Sequence, residues 1–483
     1  MAADREIEKS STTQGLPVSP SLGPTVHAAH IHRHVPLVDR RVALISLLAM
    51  LLAVVASGVA QVLTRLIAVI THIAFYGELG WNPISPAENH LGYWVIGVPI
   101  AGSIIVGFMA RYGAKAIRGH GIPEAMEQIL LNDSKIPARM TWLKPVSAAV
   151  AIGTGGPFGA EGPIIATGGA LGSLLGQVIK TTGMERKTLL AAGAAAGMTA
   201  TFGSPVSAVL LAIELLLFEY RPRSLIPVAL AATVAAGCRN AMGGGAPAFE
   251  MGPLTAPTGP ALIYYLVLGA AIGVLAVVVT KAVYWIEDQF ERLPIHWMWW
   301  PAVGALVVGV VGIIAPHTLG VGYDNIDRAL SGNFVGTAAI TFCLLKFVSW
   351  SIALGSGTSG GTLAPIFTIG GGFGAVLGGW SASLLPSAGI DPRVAALVGM
   401  AGTFAGASRA LLASIVFAFE TTRQPHGLLP LLGGCTVSYL ISALLMKNTI
   451  MTEKLVRRGH HVPTEYEAAS AGSSSASTER KSG

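Results

Sequence analysis

The sequence predicts an all-α protein that crosses a membrane many times, and three observations lead to this fold class. Of 483 residues, 52% are hydrophobic and 12% are charged, and the mean hydropathy is +0.62, which excludes an ordinary soluble domain. Apolar runs recur along the chain, and about ten or more membrane segments fit. A Gly- and Pro-interrupted segment also occurs twice, which indicates an internal repeat.

The apolar runs are long enough to form membrane helices, because an α-helix satisfies its own backbone groups inside the hydrocarbon layer. They include residues 41–63, 93–110, 264–285 and 300–315. The net charge of +6 is concentrated near segment ends, as at 221–223 and 454–458. This placement is typical of cytoplasmic loops beside a lipid bilayer and does not indicate nucleic-acid binding.

The two ends of the chain have a different composition. Residues 1–40 are polar, show no secretory signal and carry the histidine cluster "HAAHIHRH". No cysteine or carboxylate lies within the cluster to close a ligand set, so it favours a disordered cytoplasmic tail over a metal site. Residues 459–483 are of low complexity and are predicted to form a second disordered cytoplasmic tail. The three cysteines are far apart, and no metal or cofactor is expected.

The repeat divides the chain into two related halves. The stretch "GTGGPFGAEGPIIATGGALG" (153–172) aligns with "GSGTSGGTLAPIFTIGGGFG" (355–374) at one constant offset, with six glycines and one proline coinciding. We predict a first membrane repeat at 41–240, a Gly/Pro-rich linker at 241–258 and a second membrane repeat at 259–458. Interrupted apolar segments at matching positions indicate a transporter or channel with its site between the repeats. The pattern leaves open whether the repeats are parallel or inverted.

Three segments share one design, in which glycines precede a proline near the first turn of a helix. They are "GHGIPEA" (119–125), "GAEGP" (159–163) and "GTLAP" (361–365). The first turn of a helix has unpaired N–H groups and a partial positive charge, which hydrocarbon cannot satisfy but an anion can. We therefore predict that three helix N-termini form an anion site inside the membrane.

Glu161 is the charged residue of the second segment, and no other charged side chain occurs from Pro145 to Ile179. At the first turn of a helix its carboxylate can occupy the place of a permeating anion. Protonation removes the charge and frees the path, so we predict that Glu161 gates anion movement. The alternative is a carboxylate that only caps the helix.

Taken in order, the three motifs resemble those of the CLC chloride channel and transporter family, which are GSGIP, G(K/R)EGP and GxFxP, and the resemblance covers nearly all of 41–458. It implies about 18 helices in two inverted repeats, a homodimer with one pore per subunit, and a cell-membrane location with both termini cytoplasmic. It places Glu161 on the gating glutamate. The anion-binding positions that it implies or that the motifs supply are Gly119, His120, Gly121, Ile122, Pro123, Gly159, Ala160, Gly162, Pro163, Gly361, Thr362, Leu363, Ala364, Pro365 and Met451.

The chain departs from the family pattern at five positions. His120 replaces a serine and Met451 replaces a tyrosine, whose hydroxyl groups contact the anion from the inner side. Leu363 replaces a phenylalanine, and Ala160 replaces a lysine or arginine beside the gating glutamate. Leu215 stands where many proton-coupled members carry a second, internal glutamate. The last departure leaves open whether the protein is a passive channel or a chloride/proton antiporter.

The predicted function is chloride transport across the membrane, with protons as possible co-substrates. Selectivity for another anion, such as nitrate, bicarbonate or fluoride, is the alternative. A membrane-embedded hydrolase would need a His/Glu metal motif or a serine paired with a base inside the apolar segments, and the sequence shows neither, so we predict no enzymatic activity. A structural scaffold would not require three helix starts adapted to an anion.

Overall fold

The structure is a computed structural model that describes residues 38–334, 336–460 and 462. In this part of the chain there are 17 α-helices and no β-strand, in agreement with the predicted fold class. The predicted disordered tails at 1–40 and 459–483 lie almost wholly outside the described residues. The histidine cluster at 27–34 lies there too.

Eight helices precede the linker and nine follow it. The first eight are α1 (Arg40–Thr71), α2 (Gly97–Phe108), α3 (Ile122–Leu131), α4 (Met140–Gly153), α5 (Glu161–Val178), α6 (Gly183–Phe202), α7 (Pro205–Leu211) and α8 (Pro222–Ala241). The others are α9 (Gly259–Glu291), α10 (Trp300–Ile314), α11 (Tyr323–Leu330), α12 (Gly336–Gly355), α13 (Leu363–Leu384), α14 (Pro392–Ser408), α15 (Leu411–Thr422), α16 (Leu428–Leu445) and α17 (Glu453–Arg457). Apart from α17, the second set has the same number of helices as the first, and its long and short helices occur in a similar order.

The two halves meet around an approximate two-fold axis. Gly159 and Gly361, which are equivalent positions of the repeat, form an isolated antiparallel bridge. Their backbone hydrogen bonds are reciprocal, with N–O distances of 3.2 and 2.9 Å. The reciprocal pairing shows that a two-fold axis relates the repeats, as the predicted inverted arrangement requires. The helix order supports the division into 41–240 and 259–458, which stays a proposal.

Eight of the described helices are long and apolar enough to cross a membrane. Two shorter apolar helices, Pro205–Leu217 and Leu411–Thr422, cannot do so alone. With the eight long helices they make ten apolar segments, and the sequence analysis expected about ten or more membrane segments. Glycine and proline end several apolar segments inside the fold, as the interrupted motifs already indicated.

Small residues allow the central helices to approach closely. A Cβ atom at Gly168 of α5 would overlap the carbonyl oxygen of Gly193 on α6, and the reverse also holds. The same contact occurs in the second repeat, between Gly370 of α13 and Gly399 of α14. Close contact between backbones is how helices associate where lipid weakens the hydrophobic driving force. The two repeats thus contain equivalent tight helix pairs.

The outward faces of the long helices are apolar. Leu51 and Val62 of α1 are 58% and 63% exposed, and Leu444 of α16 is 73% exposed. Such faces are costly in water and favourable against lipid tails. Together with the helix lengths, they show an integral membrane protein.

Two glutamates join the repeats reciprocally. The Glu214 carboxylate accepts hydrogen bonds from the amides of Leu412 and Ala413, both at 3.0 Å. The Glu420 carboxylate accepts hydrogen bonds from Val206 at 3.0 Å and Ser207 at 2.9 Å. Each carboxylate thus caps the first turn of a short helix in the other repeat.

Candidate functional site

The structure brings the three interrupted helix starts into contact. The amide of Gly119 donates to the Thr358 carbonyl at 2.9 Å, and the amide of Gly360 donates to the Gly119 carbonyl at 3.4 Å. The Gly159–Gly361 bridge joins the other two loops. The N-termini of α3, α5 and α13 therefore share one location, as the prediction of a joint anion site requires.

Glycine is needed where these loops touch. A Cβ atom at Gly162 would overlap the carbonyl oxygen of His120. Gly121, the residue before α3, has a φ of +96°, which residues with a side chain rarely adopt. A Cβ atom at Gly361 would lie 2.9 Å from the amide nitrogen of Gly162. The glycines of the motifs are therefore explained by the close approach of three backbones.

Glu161 begins α5, and its residue is fully buried. One carboxylate oxygen, Oε1, accepts a hydrogen bond of 2.8 Å from the Tyr323 hydroxyl group. The other oxygen, Oε2, has no hydrogen-bond partner within the protein by distance and angle. The amide N–H group of Ala364, in the first turn of α13, lies beside this carboxylate. The carboxylate thus lies between the N-termini of two helices that belong to different repeats.

Other polar atoms near the three helix starts are also buried without a partner in the protein. They are Nδ1 of His120, Oγ1 of Thr358 and Oγ1 of Thr362. A buried hydroxyl or imidazole N–H group costs free energy unless it forms a hydrogen bond. A small anion that accepts hydrogen bonds from these hydroxyl and N–H groups would remove this cost.

The remaining positions of the predicted site surround these groups. Ile122 and Pro123 of α3, Gly162 and Pro163 of α5, and Leu363, Ala364 and Pro365 of α13 are all buried, and Ala160 is 5% exposed. Met451 is also buried. The residue before it, Ile450, accepts a hydrogen bond of 2.8 Å from the Tyr284 hydroxyl group through its carbonyl oxygen. The structure shows no hydrogen bond that links Met451 to the three helix starts.

Two buried lysines, which the sequence analysis did not assign, order the loops. Lys144 donates to the carbonyls of Ile117 and Gly119 at 2.7 and 2.8 Å. Lys346 donates to the carbonyls of Thr318 and Gly320 at 2.8 and 3.2 Å. The two lysines are 202 residues apart (346 − 144), which is also the offset of the repeat (355 − 153). This match could have identified them as equivalent positions of the two repeats.

Tyr323 was also missed by the sequence analysis. It begins α11 after Gly322, whose φ is +75°. The segment "GVGYDN" (320–325) has the same two glycines as "GHGIPE" (119–124) and likewise leads into a short helix. This fourth helix start lacks a proline, which is why the motif search did not find it.

A cavity leads to this group of residues. It has a volume of about 520 Å³ and is lined by residues that include Ala160, Tyr323, Asp324 and Arg239. Ala160 and Tyr323 are respectively the chain neighbour and the hydrogen-bond partner of Glu161. The cavity therefore reaches the immediate neighbours of Glu161 from one side.

Comparison with known proteins gives one consistent family. The profile described as "Voltage gated chloride channel" matches residues 101–443. The chain is 30% identical over 385 residues to the H(+)/Cl(−) exchange transporter ClcA of Salmonella paratyphi C, which covers 76% of this chain and 80% of the relative. It is 27% identical over 364 residues to a ClcB-like chloride channel protein of Ralstonia nicotianae, with 74% and 85% covered.

The fold has a counterpart among solved structures. The crystal structure of a slow cyanobacterial Cl⁻/H⁺ antiporter superposes with a TM-score of 0.77 at 22% sequence identity. The superposition covers 87% of this chain and 98% of the antiporter. At this identity the likeness shows a common fold.

Proposed function

Because this chain belongs to the voltage-gated chloride channel family, we propose that it transports chloride across a membrane along a path gated by Glu161. The observation that carries the proposal is the buried Glu161 carboxylate between the N-termini of α5 and α13. A negative group stabilised by two helix N-termini occupies a place that suits a chloride ion equally well. The names of the relatives, a chloride exchanger and a chloride channel protein, support the same substrate.

The geometry supports a simple gating mechanism. In the closed arrangement, the charged carboxylate competes with chloride for the same amide and hydroxyl donors. Protonation of Glu161 removes its charge, weakens its hydrogen bonds and lets chloride enter. The donors at the site are neutral groups, and the two buried lysines are bound to backbone carbonyls. A site without a free full positive charge binds chloride weakly enough to release it.

We propose that transport is coupled to protons, since each opening by protonation brings one proton to Glu161. The relative ClcA and the antiporter of similar fold carry proton exchange in their names. A passive channel is the second candidate, and Leu215 favours it. Leu215 is 4% exposed and offers no carboxylate where many proton-coupled members have one.

The wider assignment is part of the same proposal. Chloride would contact the first turns of α3, α5 and α13, with His120 and Met451 toward the inner side. We propose a homodimer in the cell membrane, surrounded by lipid, with both termini in the cytoplasm. The family resemblance and the apolar outer faces support these statements, and no enzymatic activity is proposed.

Chloride efflux from proteoliposomes tests the gate. We expect the wild-type protein to release chloride faster as pH falls, because protonation opens the path. Glu161→Gln, which mimics the protonated side chain, should remove most of this pH dependence. Glu291→Gln, an equivalent change at an exposed position of α9, is the matched control and should behave as wild type. Efflux by Glu161→Gln with an unchanged pH dependence would exclude Glu161 as the gate.

Proton movement separates the two candidates. In an antiporter, a chloride gradient drives protons against their own gradient, and a pH electrode records this movement in weakly buffered vesicles. Its absence at every pH tested, with chloride efflux present, would establish a passive channel. Replacing chloride by nitrate, bicarbonate or fluoride in the same assay tests the alternative substrates.

A further inference from the structure

We propose that the Tyr323 hydroxyl is a latch that holds the Glu161 carboxylate in the closed position and sets the pH at which the path opens. This inference rests on the proposed function, because it requires Glu161 to be the gate. Tyr323 is a positioning residue in this proposal, since it acts through Glu161 and is not required to touch chloride.

The first support is the hydrogen bond itself. The Tyr323 hydroxyl donates to Oε1 of Glu161 at 2.8 Å, and within the described residues this is the one side-chain hydrogen bond that the carboxylate receives. A hydroxyl group that donates to a carboxylate stabilises the charged form more than the protonated form. It therefore favours the state in which Glu161 blocks the path.

The second support is that the Tyr323 ring is held in place. It packs edge-on against Phe202, with ring centroids 5.8 Å apart, and against Phe249, at 6.1 Å. The loop before it is fixed by the hydrogen bond from Lys346 to the Gly320 carbonyl. Because the ring has few alternative positions, its hydroxyl group is presented to Glu161 without a further entropic cost.

The third support is the position of the cavity. Tyr323 and Ala160 both line it, whereas Glu161 is fully buried beside them. Tyr323 thus contacts both the buried carboxylate and the cavity. In the proposed opening, the carboxylate gives up this hydrogen bond when it leaves the closed position.

Among the described residues, no ion pair competes with this hydrogen bond for the carboxylate. The titratable side chains on the segments around the pair include His120 before α3, Glu124 on α3, Lys144 on α4, Arg239 on α8 and Lys346 on α12. Asp324, Asp327 and Arg328 lie on α11 itself, and Glu250, next to Phe249, donates its amide to Asp327 at 3.1 Å. Both lysines are bound to backbone carbonyls, and Glu124 pairs with Lys454 at 3.4 Å. α13 carries no titratable residue, and α5 carries none besides Glu161.

The test compares the pH dependence of chloride efflux in four proteins reconstituted identically: wild type, Tyr323→Phe, Glu161→Gln and the double variant. Tyr323→Phe removes the hydroxyl group and keeps the ring. We expect its half-maximal efflux to shift to higher pH by about one unit, which is the effect expected when a carboxylate loses one hydrogen bond. Efflux above the wild-type midpoint should rise several-fold, because the blocking state is weaker.

The double variant provides the readout that a purely structural role would not change. With Glu161 replaced by glutamine, the added Tyr323→Phe change should leave efflux within about twofold of Glu161→Gln alone, because no charged gate remains to hold. The matched control is Tyr265→Phe, which removes another buried hydroxyl group, one that contacts Asp391. It should leave the midpoint at the wild-type value.

An unchanged pH of half-maximal efflux in Tyr323→Phe would overturn the latch. So would a Tyr323→Phe change that alters chloride efflux equally with Glu161 and with Gln at position 161. If Glu161→Gln removes the pH dependence and Tyr323→Phe does not shift it, the latch is wrong and the proposed gate stands. If Glu161→Gln retains the wild-type pH dependence, the proposed gate is wrong, and the latch is overturned with it.

Discussion

At the scale of single residues, the site depends on polar atoms that are buried and incompletely bonded. Oε2 of Glu161, Nδ1 of His120 and Oγ1 of Thr362 have no partner within the protein. Elsewhere in a membrane protein, such atoms would be a defect. We propose that the His120 and Thr362 groups, near the three helix N-termini, are donors that a transported ion and the Glu161 carboxylate use alternately.

His120 gives the residue-scale prediction. Its imidazole is 5% exposed and occupies a position where the family has a serine. We expect His120→Leu to weaken chloride binding about 10- to 100-fold, because a hydrogen bond to an ion is worth about 1.5–3 kcal/mol. His120→Ser should retain most of the affinity. Titration calorimetry of chloride in detergent measures this change.

The control for this prediction is His426→Leu, at an exposed position after α15, which should bind chloride as wild type does. Equal chloride affinity in His120→Leu and wild type would remove His120 from the inner side of the path.

At the scale of helices, the fold provides partners for the backbone groups of helices that begin inside the membrane, where hydrocarbon cannot bond them. The loops before the three central helices pair with one another through the backbones of Gly119, Gly159 and the loop before α13, and the helix N-termini face the anion site that we propose. The short helices α7 and α15 depend instead on Glu420 and Glu214 from the opposite repeat. This capping explains why two acids occur in otherwise apolar segments: each accepts hydrogen bonds from amides at the start of a short helix.

We predict that Glu214→Ala and Glu420→Ala each destabilise the protein, by about 1–3 kcal/mol, because each leaves two amide groups without an acceptor. The temperature at which half of the protein loses its monodisperse peak in size-exclusion chromatography measures the effect. Neither change should move the pH of half-maximal chloride efflux. A wild-type melting temperature for both variants would show that water or other groups replace the carboxylates.

At the scale of the whole molecule, the first helix is tied to the centre by one ion pair. Glu185, at the start of α6, accepts hydrogen bonds from Arg41 of α1 at 2.6 and 3.1 Å. It also accepts from the amide of Thr182 at 2.9 Å, in a capping box. Burial raises the pKa of Glu185, but the hydrogen bonds from Arg41 and Thr182 outweigh burial, so its pKa lies below the ordinary value.

This ion pair predicts how the stability of the protein depends on pH. A group with a lowered folded-state pKa contributes stability that is complete above its unfolded pKa, about 4.3, and is lost as pH falls through the folded value. Glu185→Gln should therefore melt below wild type at pH 7, and the gap should narrow as pH falls below about 4. Melting in detergent from pH 3 to 8 measures this gap, with the exposed Glu88→Gln as control. A gap that is constant with pH would contradict the ion-pair explanation.

The sequence determined the fold class, the repeat and the three motifs because each depends on local chemistry. Apolar runs must be helices in hydrocarbon, and Gly-Pro segments must interrupt them. Glu161 could be singled out since a lone carboxylate in an apolar stretch is costly without a function. The roles of Lys144, Lys346 and Tyr323 escaped prediction, because a single lysine or tyrosine in an apolar segment does not reveal its partner.

Only the tertiary structure decided which residues meet. The hydrogen bond between Glu161 and Tyr323 spans 162 residues, and the caps by Glu214 and Glu420 join opposite repeats across 199 and 213 residues. Such contacts follow from the two-fold relation between the repeats, and the sequence pattern fits parallel and inverted repeats equally. The chemistry of the helix starts was therefore readable from the chain, whereas their convergence on one carboxylate depends on how the two halves pack.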